Sequence, residues 1–150
     1  MKNKIIYIVL IVWMIIIFLF SSMNADNSNG KSKGIIKSIV VNTTNILHID
    51  ITYKKIDNIV KDLNYPIRKC AHVTEYLILG ILLMEAIYTK NNNKIIYLIL
   101  GIIFIYACTD EFHQVFTGRT SKFLDVIIDT LGGSLGVIFS FNHKNKLNYK

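Results

Sequence analysis

Several side chains that could carry out chemistry lie between residues 109 and 136, in the stretch TDEFHQVFTGRTSKFLDVIIDTLGGSLG. They occupy the end of one apolar run and the first turns of the next, and they are Asp110, Glu111, His113, Gln114, Asp125 and Asp129. Histidine can serve as a general base and a carboxyl group as a general acid, and both types also bind polar ligands. Because the flanking runs are long and apolar, these residues fall where charge is expensive and tends to mark function.

A second polar group precedes them in the chain. His72, Glu75 and Tyr76 share one helical face at positions i, i+3 and i+4. His72 lies seventeen residues before the polar turn Thr89–Lys94 and Glu111 seventeen after it, so both stand about 25 Å from that turn in an antiparallel helical hairpin. The sequence therefore predicts one polar layer, formed by His72, Glu75, Asp110, Glu111, His113, Gln114, Arg119, Asp125 and Asp129.

The candidate site has two parts. The candidate catalytic residues are His72, Glu75, Glu111 and Asp125. His72 with Glu75 could form an oriented general base, and Glu111 a general acid. The candidate substrate-binding residues are Arg68, Tyr76, Asp110, His113, Gln114, Arg119 and Asp129. An arginine such as Arg119 suits a phosphate, because its guanidinium group can donate two parallel hydrogen bonds.

Three other interpretations use the same residues. In a structural interpretation, Arg68, Lys69 and Arg119 neutralise carboxylates and hold helix ends together, at about 0.6 kcal/mol for each bond across helices. In a binding interpretation, the layer recognises a ligand without chemistry. A small transporter is a weaker interpretation, because the sequence has no inverted repeat.

A metal site would use a different selection from the layer. Its ligands would be His72, Glu111, His113 and Asp125, which have suitable donor atoms but no recognised ligand spacing. The sequence therefore predicts no cofactor, and a divalent metal at the polar layer stays an alternative that the spacing does not support.

Composition limits the class of protein. The 150 residues are 52% hydrophobic, with a mean hydropathy of +0.42, which is too apolar for a typical soluble domain. Seventeen basic residues against ten acidic ones give a charge of +7, but they are scattered between apolar runs and form no stripe. We therefore expect contact with membrane lipid rather than nucleic acid.

Cys70 and Cys108 are too few for a disulfide scaffold, and we expect two buried thiols.

The elements that must position the polar layer are membrane-spanning helices. We predict an all-α integral membrane protein with four transmembrane helices, within residues 1–23, 70–88, 95–116 and 123–141. An amphipathic extracytoplasmic segment separates the first two. The first run also fits a cleaved signal peptide, although its apolar stretch is long for one.

The predicted division of the chain follows these helices. Residues 1–23 form the first transmembrane helix, 24–67 an extracytoplasmic loop with the amphipathic segment, 68–141 a three-helix core and 142–150 a basic cytoplasmic tail. Lysines at both termini and in the turn at 89–94 favour the cytoplasmic side for all three, which places the polar layer near the outer face.

The stretch from 24 to 67 is polar at first and then amphipathic. Residues 24–33 are rich in Ser and Asn and predict a loop. Ile56, Ile59, Val60 and Leu63 then follow helical spacing, which fits either a segment in the membrane interface or a small extramembrane helical cap. Pro66 predicts a break before the second spanning helix.

Three motifs, in order, closely resemble the VanZ-like membrane proteins: RKCAHVTEY (68–76), TDEFHQVFTGR (109–119) and LDVIIDTLGGSLG (124–136). The Phe-Ser-Ser ending of the first helix (20–22) is also similar to theirs, so that the resemblance extends from Phe20 to about Phe141. At Asp129 this sequence departs from the family, which usually carries Asn.

The resemblance implies a protein of the bacterial cytoplasmic membrane, and the family's namesake is associated with low-level resistance to teicoplanin-type glycopeptides. It brings no settled biochemical activity. The implied function is a lower susceptibility to such antibiotics, through an outer-face site that binds or acts on a lipid-linked cell-wall precursor, a lipid or a lipoglycopeptide. Two alternatives stay open. One is a membrane-embedded hydrolase or transferase acting on a lipid headgroup or precursor, and the other is a structural protein whose polar layer only holds helices together.

Overall fold

The computed structural model describes residues 2–23, 25–88, 94–118 and 122–148. Within these ranges every regular element is an α-helix: α1 (Lys2–Ser21), α2 (Ala25–Ile46), α3 (Tyr53–Ile87), α4 (Lys94–Phe116) and α5 (Phe123–Asn148). Four of them, α1, α3, α4 and α5, are long and apolar enough to cross a membrane. The prediction of an all-α membrane protein with four spanning helices is confirmed, and α5 continues seven residues beyond its predicted end at Phe141.

The outward side chains of these helices suit a lipid environment. Large apolar residues such as Ile8, Ile11, Ile105 and Phe139 are exposed along them. A soluble protein rarely exposes so much contiguous apolar surface, whereas lipid chains cover it without cost. In lipid a helix also satisfies its backbone hydrogen bonds internally, which is why these apolar runs form helices.

The chain divides into two compact units. The first, which we call the four-helix unit, contains Met1–Ser22 and His72–Lys150, and the second contains Met23–Ala71. The core of the four-helix unit is apolar and includes Ile17, Leu79, Met84, Ile99, Ile103 and Ala107.

Glycines set the distance between α3 and α5. A Cβ atom on Gly132 would lie 2.7 Å from the Val73 carbonyl oxygen. A Cβ atom on Gly136 would overlap the Leu77 carbonyl oxygen, one turn further along both helices. The two backbones are therefore in direct contact, as small residues allow in membrane helix pairs.

Hydrogen bonds tie α1 to the rest of the four-helix unit. The Trp13 indole Nε1–H donates to the Glu75 carbonyl oxygen at 3.0 Å, and the Tyr106 hydroxyl donates to the Met14 carbonyl oxygen at 2.7 Å. Nearer its start, the Tyr7 hydroxyl reaches the Ala86 carbonyl oxygen at 2.9 Å. These bonds join α1 to both α3 and α4 along its length.

The loop predicted for residues 24–33 is wrong from residue 25 onward, because α2 begins at Ala25; Asn24 itself lies outside the described residues. In the second unit the Ser and Asn side chains bond across helices instead of forming turns. Ser32 donates to the Asn64 amide oxygen, and Arg68 Nη1 donates to the Asn29 amide oxygen at 2.6 Å. Below them Ile36 packs against α3, so the pairing of two amphipathic helices overrides the local composition.

The break predicted at Pro66 is also wrong, since α3 runs through it without interruption. Proline removes one backbone donor, which a helix can tolerate when neighbouring groups hold it in place. Here Asn64 and Arg68, on either side of the proline, are bonded to α2. On the same helix Ile56 and Val60 are buried, whereas Leu63 of the same predicted stripe is exposed. The place of this segment in the membrane interface stays a prediction.

Candidate functional site

Three helices of the four-helix unit bring one polar residue each to a single point. His72 from α3, Asp110 from α4 and Asp129 from α5 each offer a donor atom, and these atoms lie within 4.8 Å of one another. We call these three residues the His–Asp–Asp cluster. The two aspartates are 3% and 2% exposed. Gly132 explains why Asp129 comes close to His72. It lies one turn below Asp129 and lets α5 contact α3 beside His72.

Tyr76 lies one turn beyond His72 on the same face of α3. Its side chain, which ends in a hydroxyl group, is completely buried. Among the residues that the structure describes, this hydroxyl has no hydrogen-bond partner. The ring itself is tilted against Tyr106 on α4, with 6.2 Å between the centroids.

Two neighbouring side chains contact the cluster residues. Gln114 Nε2 donates to Asp110 Oδ2 at 3.1 Å, one turn along α4. Glu75 Oε2 lies 3.5 Å from His72 Nδ1 on α3. At this distance the carboxylate and the imidazole form an ion pair when the imidazole is protonated.

Glu111, predicted to be catalytic, contacts the start of α5. Its Oε2 accepts a hydrogen bond from the Lys122 backbone N–H at 3.2 Å, directly before the helix begins at Phe123. A carboxylate there satisfies a backbone donor and interacts favourably with the positive end of the helix dipole. Asp125 is buried in the first turn of the same helix, where it benefits from the same dipole. Both residues thus stabilise the beginning of α5.

His113 contacts α1. Its Nε2 is 3.0 Å from the Ser22 hydroxyl, and its ring stacks on Phe18 with 4.5 Å between the centroids. Sequence reasoning placed His113 in the same layer but missed its partner, although Ser22 belongs to the Phe-Ser-Ser motif at the end of the first helix.

Neither arginine that was predicted to bind substrate is described as part of the His–Asp–Asp cluster. Arg68 belongs to the second unit, where it is bonded to Asn29. Arg119 lies outside the described residues. Cys70 and Cys108 are not joined in a disulfide, and the expectation of two buried thiols is wrong, because Cys70 is exposed in the second unit and Cys108 is only half-buried.

A further polar group that sequence reasoning missed lies elsewhere in the four-helix unit. Glu85 accepts a hydrogen bond from the Ser140 hydroxyl at 2.9 Å and pairs with Lys144 at 3.1 Å. Ser140 and Lys144 are four residues apart on α5, a spacing that could have indicated a common partner.

Four apolar helices around two buried aspartates, a buried tyrosine and a half-buried histidine define a multi-pass membrane protein with a polar cluster inside its helical bundle. The chain belongs to the VanZ/LLP1 family, whose sequence model matches residues 6–143. The resemblance seen in the motifs is thereby confirmed over nearly the whole chain. No curated protein and no solved structure gives a significant match.

Proposed function

We propose that this protein acts in the bacterial cytoplasmic membrane and lowers susceptibility to teicoplanin-type glycopeptide antibiotics. Its polar layer would face the outer leaflet, with both termini in the cytoplasm, and would bind or act on a cell-wall or lipid component. Membership of the VanZ/LLP1 family supports a role in the envelope. The lysines at both termini support the orientation.

One observation carries the proposal. In the His–Asp–Asp cluster both aspartates are buried and His72 is half-buried, among helices that are apolar enough to span a membrane. Ionisable residues in such helices are costly, and they usually line a pathway or a binding site. Adjacent Glu75 and Tyr76 add groups that can donate to or accept from a polar ligand.

The ligand class follows from the position of this layer. A site in spanning helices is reached from the membrane, so its ligand would carry both a lipid chain and a polar group. A lipid-linked cell-wall precursor and a lipoglycopeptide both meet this requirement, and so does an ordinary membrane lipid.

A second candidate function is a membrane-embedded hydrolase or transferase for the same ligands. The contact between Glu75 and His72 favours it, because a carboxylate that orients an imidazole is a common feature of general-base sites. Catalysis and binding predict different behaviour of the Glu75→Gln variant. Only catalysis requires that this variant lose turnover while it still binds the ligand.

The test measures membrane abundance and teicoplanin susceptibility of a sensitive host that expresses wild type, Glu75→Gln or Glu111→Gln. Glutamine at 111 keeps an acceptor for the Lys122 N–H and removes only the charge. We expect both variants to accumulate like wild type and to return susceptibility to the level of the empty vector.

The matched control is Asp57→Asn, an exposed carboxylate in the second unit that pairs with Lys37. It should accumulate and protect like wild type, since exposed ion pairs contribute little. If Glu75→Gln and Glu111→Gln disappear from the membrane while Asp57→Asn does not, the layer holds helices together instead. If wild type gives no protection, the antibiotic role is refuted.

A further inference from the structure

We propose that His72, Asp110 and Asp129 bind a divalent metal ion of the Zn²⁺ or Mn²⁺ type. Each residue comes from a different helix of the four-helix unit, so the ion would join α3, α4 and α5 at one point. This inference goes beyond the proposed envelope function and does not depend on it.

The distances fit a single ion. One donor atom from each residue lies within 4.8 Å of the other two. Ligands of a tetrahedral ion with bonds of about 2.1 Å are separated by about 3.4 Å, so side-chain movements of about 1 Å would bring the three donor atoms to an ion. One imidazole nitrogen and two carboxylate oxygens are donor types that Zn²⁺ and Mn²⁺ both accept.

The charges favour a cation at the same point. Asp110 and Asp129 are nearly inaccessible to solvent and lie within a few ångströms of each other. Two ionised carboxylates in such a place repel one another and have lost most of their hydration. A divalent cation would neutralise both, which is how proteins commonly keep buried carboxylates charged.

Tyr76 supplies an independent observation. Its hydroxyl is fully buried one turn from His72 on the same face of α3, and it lacks a hydrogen-bond partner among the described residues. A buried hydroxyl usually has a partner, because leaving it without one costs free energy. Three protein ligands leave a coordination position for a water molecule, and the Tyr76 hydroxyl could donate to it.

Glu75 completes the arrangement. A histidine that binds a metal commonly has a carboxylate beside its other ring nitrogen, which fixes the orientation of the ring. Because Glu75 Oε2 is 3.5 Å from His72 Nδ1, the ligand atom that we propose for His72 is Nε2. We therefore assign Glu75 a positioning role, in which it would act through His72.

This set differs from the one considered in the sequence. There the candidate ligands were His72, Glu111, His113 and Asp125, and the lack of a recognised spacing led to a prediction of no cofactor. In the structure Glu111 contacts the start of α5 and His113 contacts α1. Ligands that come from three helices leave no local spacing to recognise.

The test uses the full chain with a Strep tag, purified in detergent and stripped with EDTA. Zn²⁺ and Mn²⁺ are then added separately, excess ion is removed, and bound metal is measured by mass spectrometry, with affinity from calorimetry. We expect wild type to hold about one equivalent of at least one of the two ions. Asp129→Asn and His72→Ala should each weaken binding about 100-fold, and Glu75→Gln about tenfold.

Two controls make the result specific. Asp57→Asn repeats the substitution at an exposed site in the second unit and should bind metal like wild type. A variant with Cys70→Ser and Cys108→Ser removes the thiols that also attract Zn²⁺ and should retain the bound ion. Gel filtration identifies any variant that aggregates, and Asp110→Asn then replaces it.

Three results would overturn the proposal: wild type that binds neither ion, folded Asp129→Asn and Asp110→Asn with wild-type affinity, or loss of the ion in the cysteine variant. Wild type that binds neither ion overturns the proposal even if every ligand variant fails to fold. This measurement uses no antibiotic, so a negative result would not contradict the proposed role in glycopeptide susceptibility. Likewise, failure of the susceptibility test would not contradict metal binding.

Discussion

Gly136→Ala is expected to remove most of the folded protein from the membrane, whereas Gly101→Ala should leave its amount unchanged. At Gly136 the added methyl group would overlap the Leu77 carbonyl oxygen and would lie 2.9 Å from the Leu77 carbonyl carbon and 3.1 Å from the Ile81 nitrogen. These are backbone atoms, which cannot rotate away. The methyl group must therefore push α5 away from α3.

The cost of that separation is large for a membrane protein. Overpacking of a protein core costs roughly 1–3 kcal/mol. In lipid, close packing is itself the main source of helix association, so the lost contacts are not compensated by a hydrophobic effect. The separation would also move Asp129 away from His72, because both residues lie just above the glycine contacts.

Gly101 provides the matched control. It lies inside α4, and an added Cβ atom there would meet no atom within 4 Å. Replacing a helical glycine with alanine in open space favours the helix by about 1 kcal/mol. Membrane abundance and thermal unfolding in detergent measure both variants. Equal stability of Gly136→Ala and Gly101→Ala would contradict the backbone contact between α3 and α5.

Tyr76→Ala should destabilise the fold by about 3 kcal/mol, as large-to-small substitutions in a packed core do. The side chain is completely buried between α3 and α4 and packs against Tyr106. Tyr76→Phe keeps the ring and removes only a hydroxyl that has no hydrogen-bond partner among the described residues. We therefore expect the metal-free Phe variant to be as stable as wild type or slightly more stable.

Thermal unfolding of the purified variants, stripped of metal, tests this difference. If Tyr76→Phe were as unstable as Tyr76→Ala, the hydroxyl would have an essential partner and the account of an unsatisfied group would be wrong. The same pair separates packing from metal binding. Under the metal proposal, Tyr76→Phe should reduce the stabilisation that added Zn²⁺ gives, because stabilisation by a ligand falls with its affinity.

Hydropathy alone identified the four spanning helices. Their bounds differ from the predicted ones mainly at the ends, where α3 begins seventeen residues before Cys70 and α5 continues to Asn148. The agreement has a physical cause, because a run of about twenty apolar residues in lipid has no stable alternative to a helix. Polar segments have alternatives, and there the prediction failed. Residues 25–33 are helical because α2 pairs with α3, which local composition does not report.

In the candidate site, too, some features could be predicted from the sequence and others could not. Counting residues from the turn at 89–94 placed His72 and Glu111 at one height, and the structure does bring α3 and α4 together at that end. Height along a helix follows from a rise of 1.5 Å per residue, so it can be read from the sequence. Rotation about the helix axis relative to a neighbour cannot, and it separates Asp110, which belongs to the His–Asp–Asp cluster, from His113, which contacts α1.

By itself the sequence determined the family, the class of protein, the four spanning helices and the set of polar residues near one end. Each of these depends on residue type and on distance along the chain. Only the tertiary structure decided which polar residues meet. The glycines at 132 and 136 bring α5 against α3, and this contact, together with the packing of α4, selects His72, Asp110 and Asp129 from a larger layer. The reason is that the choice depends on distances of a few ångströms between helices, which are set by packing and have no local signal in the sequence.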